Sequence, residues 1–316
     1  MSRHIRPNFF IVGAPKCGTT ALASYLSTHP DIYLAPKEPH FFGRDLSFRR
    51  ALPYRDPKAY FSLFEGRHER MTGDASVWYL YSRSACQEIY ELNSRAKIIA
   101  CIRNPIDFLY SEYYQLRYNG DEDAESFEEA LGAESRRKDG LGIPDSTAPG
   151  PIEALLYMET VCFSEQLARY MARFGRDRVN VIVYDDFRDR TRDVFDSALR
   201  FLGVSLECVP DLAPVNANKA IRNERLWRFM KFAPQPMRAV WRASLPAPIR
   251  GRILKWVNSY NAVEKRRPPM KPETRAYLQS ALRPEVERLS ALLDRDLMPW
   301  VDTADGRLPE ITEQHR

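Results

Sequence analysis

The segment Gly13–Thr20, with the sequence GAPKCGTT, follows a short apolar run, Phe9–Val12, and precedes a helical pattern. Glycines let backbone N–H groups turn towards an anion, and the first turn of a helix offers further N–H groups and the positive end of the helix dipole. A lysine adds a positive charge, and threonine hydroxyl groups add donors. We therefore predict an anion-binding loop whose contacts come from Lys16, Cys17, Gly18, Thr19 and Thr20.

This loop is close to the Walker A pattern, G-x-x-x-x-G-K-[ST], but Thr19 stands where the lysine belongs and the lysine lies at position 16. A magnesium-binding aspartate should end a nearby strand, and Asp185 and Asp186 follow the apolar run Val179–Tyr184. These residues alone leave two alternatives open. One is a P-loop nucleotide kinase or NTPase that uses Mg²⁺-ATP, and the other is a tight turn that binds nothing.

A second candidate anion site begins at Arg103, directly after the apolar run Lys97–Ile102. Asn104-Pro105 is typical of the start of a helix, and Ser111 would lie two turns along that helix. An arginine at the end of a parallel strand can face the ligand-binding crevice, where it can bind a phosphate through two N–H groups. The alternative is an ordinary helix start in which Asp107 pairs with Arg103.

Apolar runs of strand length alternate with helical patterns over the first two thirds of the chain. This alternation predicts an α/β fold in layers, with a central and mainly parallel sheet. After about Asn216 we expect no further strands, and the basic, aromatic, proline-interrupted sequence predicts an added C-terminal helical layer. Two segments, Asp121–Glu129 and Asp139–Pro151, are expected to be irregular because of their acidic and Gly/Pro/Ser-rich compositions.

The composition excludes several classes of protein. Hydrophobic residues make up 44% and charged residues 28% of the 316 residues, which excludes a disordered chain. Five cysteines without C-x-x-C spacing argue against a zinc site and a disulfide framework. The chain contains no apolar run of 18 residues, and its first seven residues are polar rather than signal-like. We expect a cytoplasmic protein with reduced cysteines.

The net charge of +5 is unevenly distributed. Residues 219–275 contain 15 Lys and Arg residues against three Asp and Glu residues, and segment 225–256 interleaves basic residues with Trp and Phe. Three interpretations are open: a plain amphipathic packing layer, a lid over an anionic or lipid-linked substrate, and a peripheral membrane contact. We do not expect a nucleic-acid partner, because no nucleic-acid-binding signature accompanies the segment.

Taken together, the motifs resemble those of sulfotransferases that depend on 3′-phosphoadenosine 5′-phosphosulfate (PAPS). Gly13–Thr20 resembles the family's loop for the 5′-phosphosulfate, and Arg103–Tyr114 resembles its 3′-phosphate element, R-N-P-x-D-x-x-x-S-x-Y. Lys37–Phe42, KEPHFF, is similar to a segment of carbohydrate sulfotransferases of the heparan-modifying kind. Gly73–Ser76 and Leu297–Trp300 are similar to further family stretches, and the resemblance spans residues 8–300.

The resemblance implies a P-loop-like three-layer fold and one sulfotransferase domain over residues 1–316, with a core at about 8–215 and the helical layer at about 216–300. Two departures from the family pattern stand out. Asp74 occupies a position where glutamate is more usual. The late Gly- and Lys/Arg-rich loop that completes the 3′-phosphate site in many members has no good copy. The best substitute is the segment Asn216–Arg222, which offers Lys219 and Arg222 as candidates.

The resemblance also implies roles for individual residues. Lys16 would bind the 5′-phosphosulfate and stabilise the negative charge on the departing phosphate, and Arg103 and Ser111 would bind the 3′-phosphate. Glu38 would be the general base that takes the acceptor's proton. His40 is a rival base or a packed core histidine. The acceptor site is expected to include His40 and Trp78.

The expected function is therefore in-line transfer of a sulfuryl group from PAPS to a hydroxyl or amine, leaving 3′-phosphoadenosine 5′-phosphate (PAP). No metal is expected to be required, because a sulfuryl group carries less negative charge than a phosphoryl group. The acceptor is expected to contain sugar or to be amphiphilic, a glycan or a lipid. The alternatives are the Mg²⁺-ATP enzyme and a non-catalytic protein that binds a nucleotide or polyanion. The sequence carries no signal for the oligomeric state.

Overall fold

The central feature of the fold is a five-stranded sheet in which every neighbouring pair of strands is parallel. The computed structural model describes residues 6–36, 38–145, 149–208, 211–212, 219–223, 226–227, 244, 249, 252, 260, 262–264 and 267–308. The sheet order is β2-β3-β1-β4-β5. Its strands are β1 (Phe9–Gly13), β2 (Ile32–Leu34), β3 (Met71–Ala75), β4 (Lys97–Ile102) and β5 (Val179–Val183). The predicted α/β class with a parallel sheet is confirmed.

Helices connect and flank these strands. They are α1 (Thr19–Leu26), α2 (Pro57–Ser62), α3 (Ala85–Leu92), α4 (Pro105–Asn119), α5 (Phe127–Gly132), α6 (Glu134–Lys138), α7 (Tyr157–Thr160), α8 (Phe163–Phe174), α9 (Tyr184–Asp189), α10 (Thr191–Leu202), α11 (Pro272–Leu293) and α12 (Pro299–Asp302). Short 3₁₀ turns occupy Pro53–Arg55, Ile152–Leu155 and Arg176–Arg178.

Local sequence explains where the helices nearest the site begin and end. The side chain of Asn104 accepts a hydrogen bond from the N–H of Ile106 at 2.9 Å, and Pro105 starts α4. Gly120 ends α4 with a φ of 87°. Ser126 and Glu129 form a capping box at the start of α5. The segment Asp121–Glu129 therefore contains a helix start, which corrects the expectation that it is irregular throughout.

The core is built around β1 and β3, in which every residue is buried. Phe9 lies opposite Gly73 on β3. A Cβ atom at Gly73 would lie 2.3 Å from the ring of Phe9, so only glycine leaves room for this ring. This close packing holds β1, the central strand, against β3. It therefore also sets where the loops that follow these two strands begin.

The described part of the C-terminal region includes the predicted helical layer. Helix α11 packs against α8 and α4 and buries apolar side chains. Asp107 on α4 accepts a hydrogen bond from Arg275 on α11 at 2.9 Å. None of the helices in the described ranges is both long and apolar enough to cross a bilayer.

The expectation of no strands after Asn216 is wrong. Strands β6 (Lys219–Ile221) and β7 (Ala262–Glu264) pair in antiparallel orientation. Three residues are too few to show an alternating pattern, and the two partners lie far apart in the sequence. Most of segment 225–256, for which membrane contact was considered, lies outside the described residues. Within it, Trp227 is buried and its Nε1 donates to the carbonyl oxygen of Tyr118 at 3.4 Å.

Candidate functional site

The carboxyl ends of the parallel strands gather the predicted site residues at one edge of the sheet, where folds of this kind bind ligands. A cavity of about 680 Å³ opens there. Eight of the eleven residues predicted for the site line it: Lys16, Gly18, Thr19, Thr20, Glu38, Trp78, Arg103 and Ser111. These residues belong to the segments that follow β1, β2, β3 and β4, so residues far apart in the sequence meet at this edge.

The start of helix α1 is built to face an anion. Gly18 is its N-cap, no side chain caps its first turn, and that turn contains no acidic residue. The backbone N–H groups of a first helical turn have no partner inside the helix. A Cβ atom at Gly18 would lie 2.8 Å from the ring of Phe187, and its φ is 85°, so this position needs glycine. Thr19 and Thr20 belong to this first turn and line the cavity.

Lys16 reaches across the cavity from this loop to helix α4. Its Nζ donates a hydrogen bond to Oε1 of Gln115 at 2.9 Å. Gln115 lies four residues after Ser111, so both side chains share one face of α4. The Lys16 ammonium group therefore lies beside the helix that carries the predicted 3′-phosphate contact.

Arg103 lies directly after β4, with its guanidinium carbon 4.6 Å from the centre of the Tyr184 ring. Ser111 is buried on α4 and lines the same cavity. The alternative pairing of Asp107 with Arg103 is wrong, because the Asp107 carboxylate binds Arg275 instead. A cation and a hydroxyl group thus face one cavity from two successive elements.

Glu38 and His40 form a short turn after β2, which we call the acceptor turn (residues 38–40). The N–H of Glu38 donates to the carbonyl oxygen of Ala75 at 3.1 Å, and Glu38 Oε2 lies 3.5 Å from His40 Nε2. Glu38 has a φ of 60° and His40 a φ of 50°. Such left-handed backbone in non-glycine residues costs energy and persists only where surrounding contacts hold it. Lys16, with a φ of 59°, shares this conformation.

A buried carboxylate holds the acceptor turn in place. Asp74 accepts hydrogen bonds from the hydroxyl groups of Tyr60 and Tyr79 at 2.9 Å each and from Ser76 at 2.8 Å. Ser76 in turn accepts from the backbone N–H of His40 at 3.1 Å. Burial raises the pKa of Asp74, and the three hydroxyl donors oppose this shift. Asp74 is therefore a support behind the turn and does not line the cavity.

Three predicted residues do not line the cavity. His40 packs against the Phe48 ring at 5.0 Å, behind Glu38. Arg222 is exposed, with its guanidinium carbon 4.8 Å from the Tyr260 ring centre. Cys17 is fully buried, and burial raises the pKa of its thiol well above the usual value despite nearby Arg103. Cys17 therefore fills space in the loop as a neutral thiol.

Sequence reasoning missed Arg267, which lines the cavity. Its guanidinium carbon lies 5.6 Å from the Tyr114 ring centre. Burial lowers the pKa of Arg267, and the neighbouring Arg103 lowers it further. Arg267 thus occupies the position near Arg103 for which Arg222 was the sequence-based candidate. The only signal was the basic run 265–267 before Pro268.

Other cavity-lining residues that the sequence reasoning missed are Glu112, Tyr184 and Arg188. Glu112 follows Ser111 directly on α4, and it is buried. Tyr184 and Arg188 belong to α9, after β5. No motif marked these three, because their position depends on which helix face meets the sheet edge.

The carboxylates that a magnesium-dependent alternative would need have other partners. Asp185 accepts a hydrogen bond from Trp300 Nε1 at 3.0 Å. Asp186 accepts two hydrogen bonds from Arg295, one of them at 2.9 Å. In the described part of the chain, no group of three or more His, Cys, Asp and Glu residues is arranged to hold a metal ion.

Comparison with known proteins agrees with this geometry. The chain matches the family profile "Sulfotransferase domain" over residues 6–289. A crystal structure of a sulfotransferase from Alicyclobacillus acidocaldarius is 31% identical, with a TM-score of 0.69 over 94% of this chain and 99% of the other.

Two curated relatives show more limited matches. Heparan sulfate glucosamine 3-O-sulfotransferase 5 of Mus musculus is 30% identical over 35% of this chain and 31% of its own length. Bifunctional heparan sulfate N-deacetylase/N-sulfotransferase 3 of Homo sapiens is 28% identical over 63% of this chain and 22% of its own length. The chain thus spans less than a third of these relatives. The profile and the Alicyclobacillus structure both extend over nearly the whole chain, and on that basis the chain belongs to the sulfotransferase domain family.

Proposed function

We propose that this protein transfers a sulfuryl group from PAPS to a hydroxyl or amine of a sugar-containing or amphiphilic acceptor and releases PAP. One observation carries the proposal: the open start of α1, Lys16, Arg103 and Ser111 all face a single cavity. PAPS carries anionic groups at its 5′ and 3′ positions, and these donors form two clusters on adjacent strand ends. Family membership supports the same donor.

The proposed donor site divides between the two clusters. The first turn of α1, with Thr19 and Thr20, binds the 5′-phosphosulfate. Arg103 and Ser111 bind the 3′-phosphate, with Arg267 as a second cation. Lys16 stabilises the negative charge that grows on the departing 5′-phosphate. The sulfuryl group carries less charge than a phosphoryl group, so these donors need no added metal in the proposal.

The acceptor side depends on Glu38. As the acceptor oxygen or nitrogen forms its bond to sulfur, the bond from sulfur to the 5′-phosphate oxygen breaks and its electron pair leaves with PAP. The acceptor's proton passes to the Glu38 carboxylate. The Glu38 side chain is 32% exposed, so the proton can then pass to water. Sugar acceptors are proposed because both curated relatives are named as heparan sulfate sulfotransferases, one a glucosamine 3-O-sulfotransferase and the other an N-deacetylase/N-sulfotransferase. All five cysteines are free thiols, which suits the proposed cytoplasmic location.

The alternatives make different binding predictions. A kinase or NTPase would prefer Mg²⁺-ATP and would use Asp185 or Asp186 to bind the magnesium ion. In this structure both carboxylates already have hydrogen-bond partners. A non-catalytic binding protein keeps the affinity for PAP and shows no turnover with any acceptor. Calorimetric titration with PAP, ADP and Mg²⁺-ATP separates the first alternative from the proposal.

We expect PAP to bind without metal and more tightly than ADP. Loss of the Arg103 guanidinium in Arg103→Ala should weaken PAP binding by about ten- to a hundredfold, since a hydrogen bond to a charged group is worth about 1.5–3 kcal/mol. Arg173→Ala is the matched control, because Arg173 is an exposed arginine that does not line the cavity. A preference for Mg²⁺-ATP, with PAP no better than ADP, would exclude the proposal.

Turnover is tested with PAPS labelled in the sulfuryl group and two acceptor panels, glucosamine oligosaccharides and long-chain alkyl glycosides. Label in either panel supports transfer and identifies the acceptor class. Binding of PAP with no transfer to either panel would favour the non-catalytic alternative. Co-sedimentation with anionic vesicles tests the membrane interpretation of segment 225–256.

A further inference from the structure

Glu112 is a buried carboxyl group inside the proposed transfer site to which the mechanism above gives no role. It follows Ser111 on α4, lines the cavity and is 2% exposed. It also lies three residues before Gln115, so it shares a helix face with the residue that binds Lys16. Its place in the sequence therefore puts it between the predicted 3′-phosphate contact and the partner of Lys16.

One oxygen of this carboxyl group has no hydrogen-bond partner within the described ranges. Glu112 Oε2 is buried and makes no hydrogen bond there. Native proteins leave few buried polar atoms unpaired, and such an atom at a ligand site points to a group that arrives with the ligand. Asp74, a buried acid behind the cavity, accepts hydrogen bonds from three hydroxyl donors. The Asp74 carboxyl group therefore has its hydrogen-bond donors within the protein, whereas one oxygen of Glu112 has no donor among the described residues.

The surroundings favour the protonated form of Glu112. Burial raises the pKa of Glu112 to about 7. Lys16 opposes this shift, and the negative charges of Asp121 and Glu38 add to it. The charged and titratable groups that face Glu112 are Lys16, Cys17, Glu38, Asp121, Tyr157 and Arg267.

We propose that Glu112 is a second carboxyl group of the transfer site and contacts the sulfuryl group of PAPS as a hydrogen-bond donor, between Lys16 and Glu38. This inference rests on the proposed function. A protonated carboxyl group carries one O–H donor, and the outer sulfuryl oxygens are acceptors. An ionised carboxylate at the same place would repel them. Glu112 keeps its proton throughout the transfer, and Glu38 alone takes the acceptor's proton.

The test compares PAPS binding by the wild-type protein and Glu112→Gln, without any acceptor, at about pH 6 and about pH 8.5. Glutamine has the same shape and a permanent N–H donor. At the lower pH the two proteins should bind PAPS about equally. At the higher pH the wild-type Kd for PAPS should be about tenfold above that of Glu112→Gln. A bound anion that raises the pKa of a group by one unit binds the ionised form of that group about tenfold more weakly.

PAP is the ligand control, because it lacks the sulfuryl group. The ratio of the two proteins' Kd values for PAP should change less with pH than the ratio for PAPS. An equal change for both ligands would place Glu112 against the 5′-phosphate and overturn the proposal, as would equal PAPS affinities at both pH values. Failure of the wild-type protein to bind PAPS at any pH would instead exclude the proposed function.

Glu134→Gln is the protein control, because Glu134 is a buried carboxyl group with a raised pKa that does not line the cavity. It should follow the wild type in PAPS binding. Thermal melting gives a readout independent of ligand. The ionised form of Glu112 destabilises the fold at high pH, so Glu112→Gln should melt a few degrees above wild type at about pH 8.5 and not at about pH 4. Equal melting at both pH values would contradict a neutral Glu112.

Discussion

The two sides of the cavity are built in different ways. On the donor side, the loop 13–20 presents backbone N–H groups of its own helix, and local residues such as Gly18 fix its shape. On the acceptor side, the turn at residues 38–40 depends on side chains from other elements: Asp74 and Ser76 at the end of β3, Tyr60 on α2 and Tyr79 after β3. The shape of the loop at residues 13–20 is therefore mainly a local property, whereas the position of the predicted base depends on long-range contacts.

The contrast between the two sides predicts which substitutions should affect binding and which should affect turnover. Backbone donors and a helix dipole remain when one side chain is replaced. A left-handed glutamate such as Glu38, with a φ of 60°, depends on the groups that hold its turn. Variants on the acceptor side should therefore lower turnover with little change in PAP binding, and variants on the donor side should change binding first.

The largest effect is expected for Glu38→Gln. It removes the proposed proton acceptor and leaves the donor side intact, so kcat should fall by about 10²–10⁴-fold, the usual contribution of a general base. The affinity for PAP should change little. Transfer of labelled sulfuryl groups and calorimetry measure the two quantities, and Glu65→Gln, at an exposed glutamate, serves as control. Full turnover by Glu38→Gln would refute the assignment of the base.

A smaller effect is expected for Asp74→Asn, which weakens the support of the acceptor turn. The asparagine amide replaces one acceptor oxygen with a donor, so at least one of the three buried hydroxyl donors loses its partner. This should cost about 1–3 kcal/mol in the free energy of unfolding. We expect a lower Tm and a lower kcat, with PAP affinity preserved.

Tyr60→Phe is the matched control for Asp74→Asn, because it removes one of the donors and leaves the carboxylate in place. Its loss of kcat should be clearly smaller. An Asp74→Asn protein with unchanged kcat would show that the acceptor turn does not need this support.

The smallest effect is expected on the donor side, for Ser111→Ala. Loss of one hydroxyl contact to the 3′-phosphate should weaken PAP binding by about fivefold, equivalent to about 1 kcal/mol. ADP lacks the 3′-phosphate, so its affinity should not change. An equal loss for ADP and PAP in calorimetry would mean that Ser111 contacts another part of the nucleotide.

Much of the donor side could be predicted from the sequence because its signals are contiguous. Strand, glycine loop and helix follow one another at residues 9–26, and Asn104-Pro105 marks the start of α4. The long-range features could not be predicted in this way. Arg222 was the sequence-based candidate for the late cation, and Arg267 is the arginine that lines the cavity. Both lie in the basic region, and spacing alone does not tell which side chain turns inwards.

The α/β class and the two predicted anion-binding elements could be inferred from the sequence alone, because they follow from the type and local spacing of residues, whereas Glu38 was named as the base through the family resemblance. Only the packed structure shows that Asp74 supports the acceptor turn and that Cys17 is a neutral buried thiol. It also shows that Glu112 faces the cavity with one oxygen that has no hydrogen-bond partner among the described residues. These properties depend on burial and on partners distant in sequence, and both arise only when the sheet and its helices pack together.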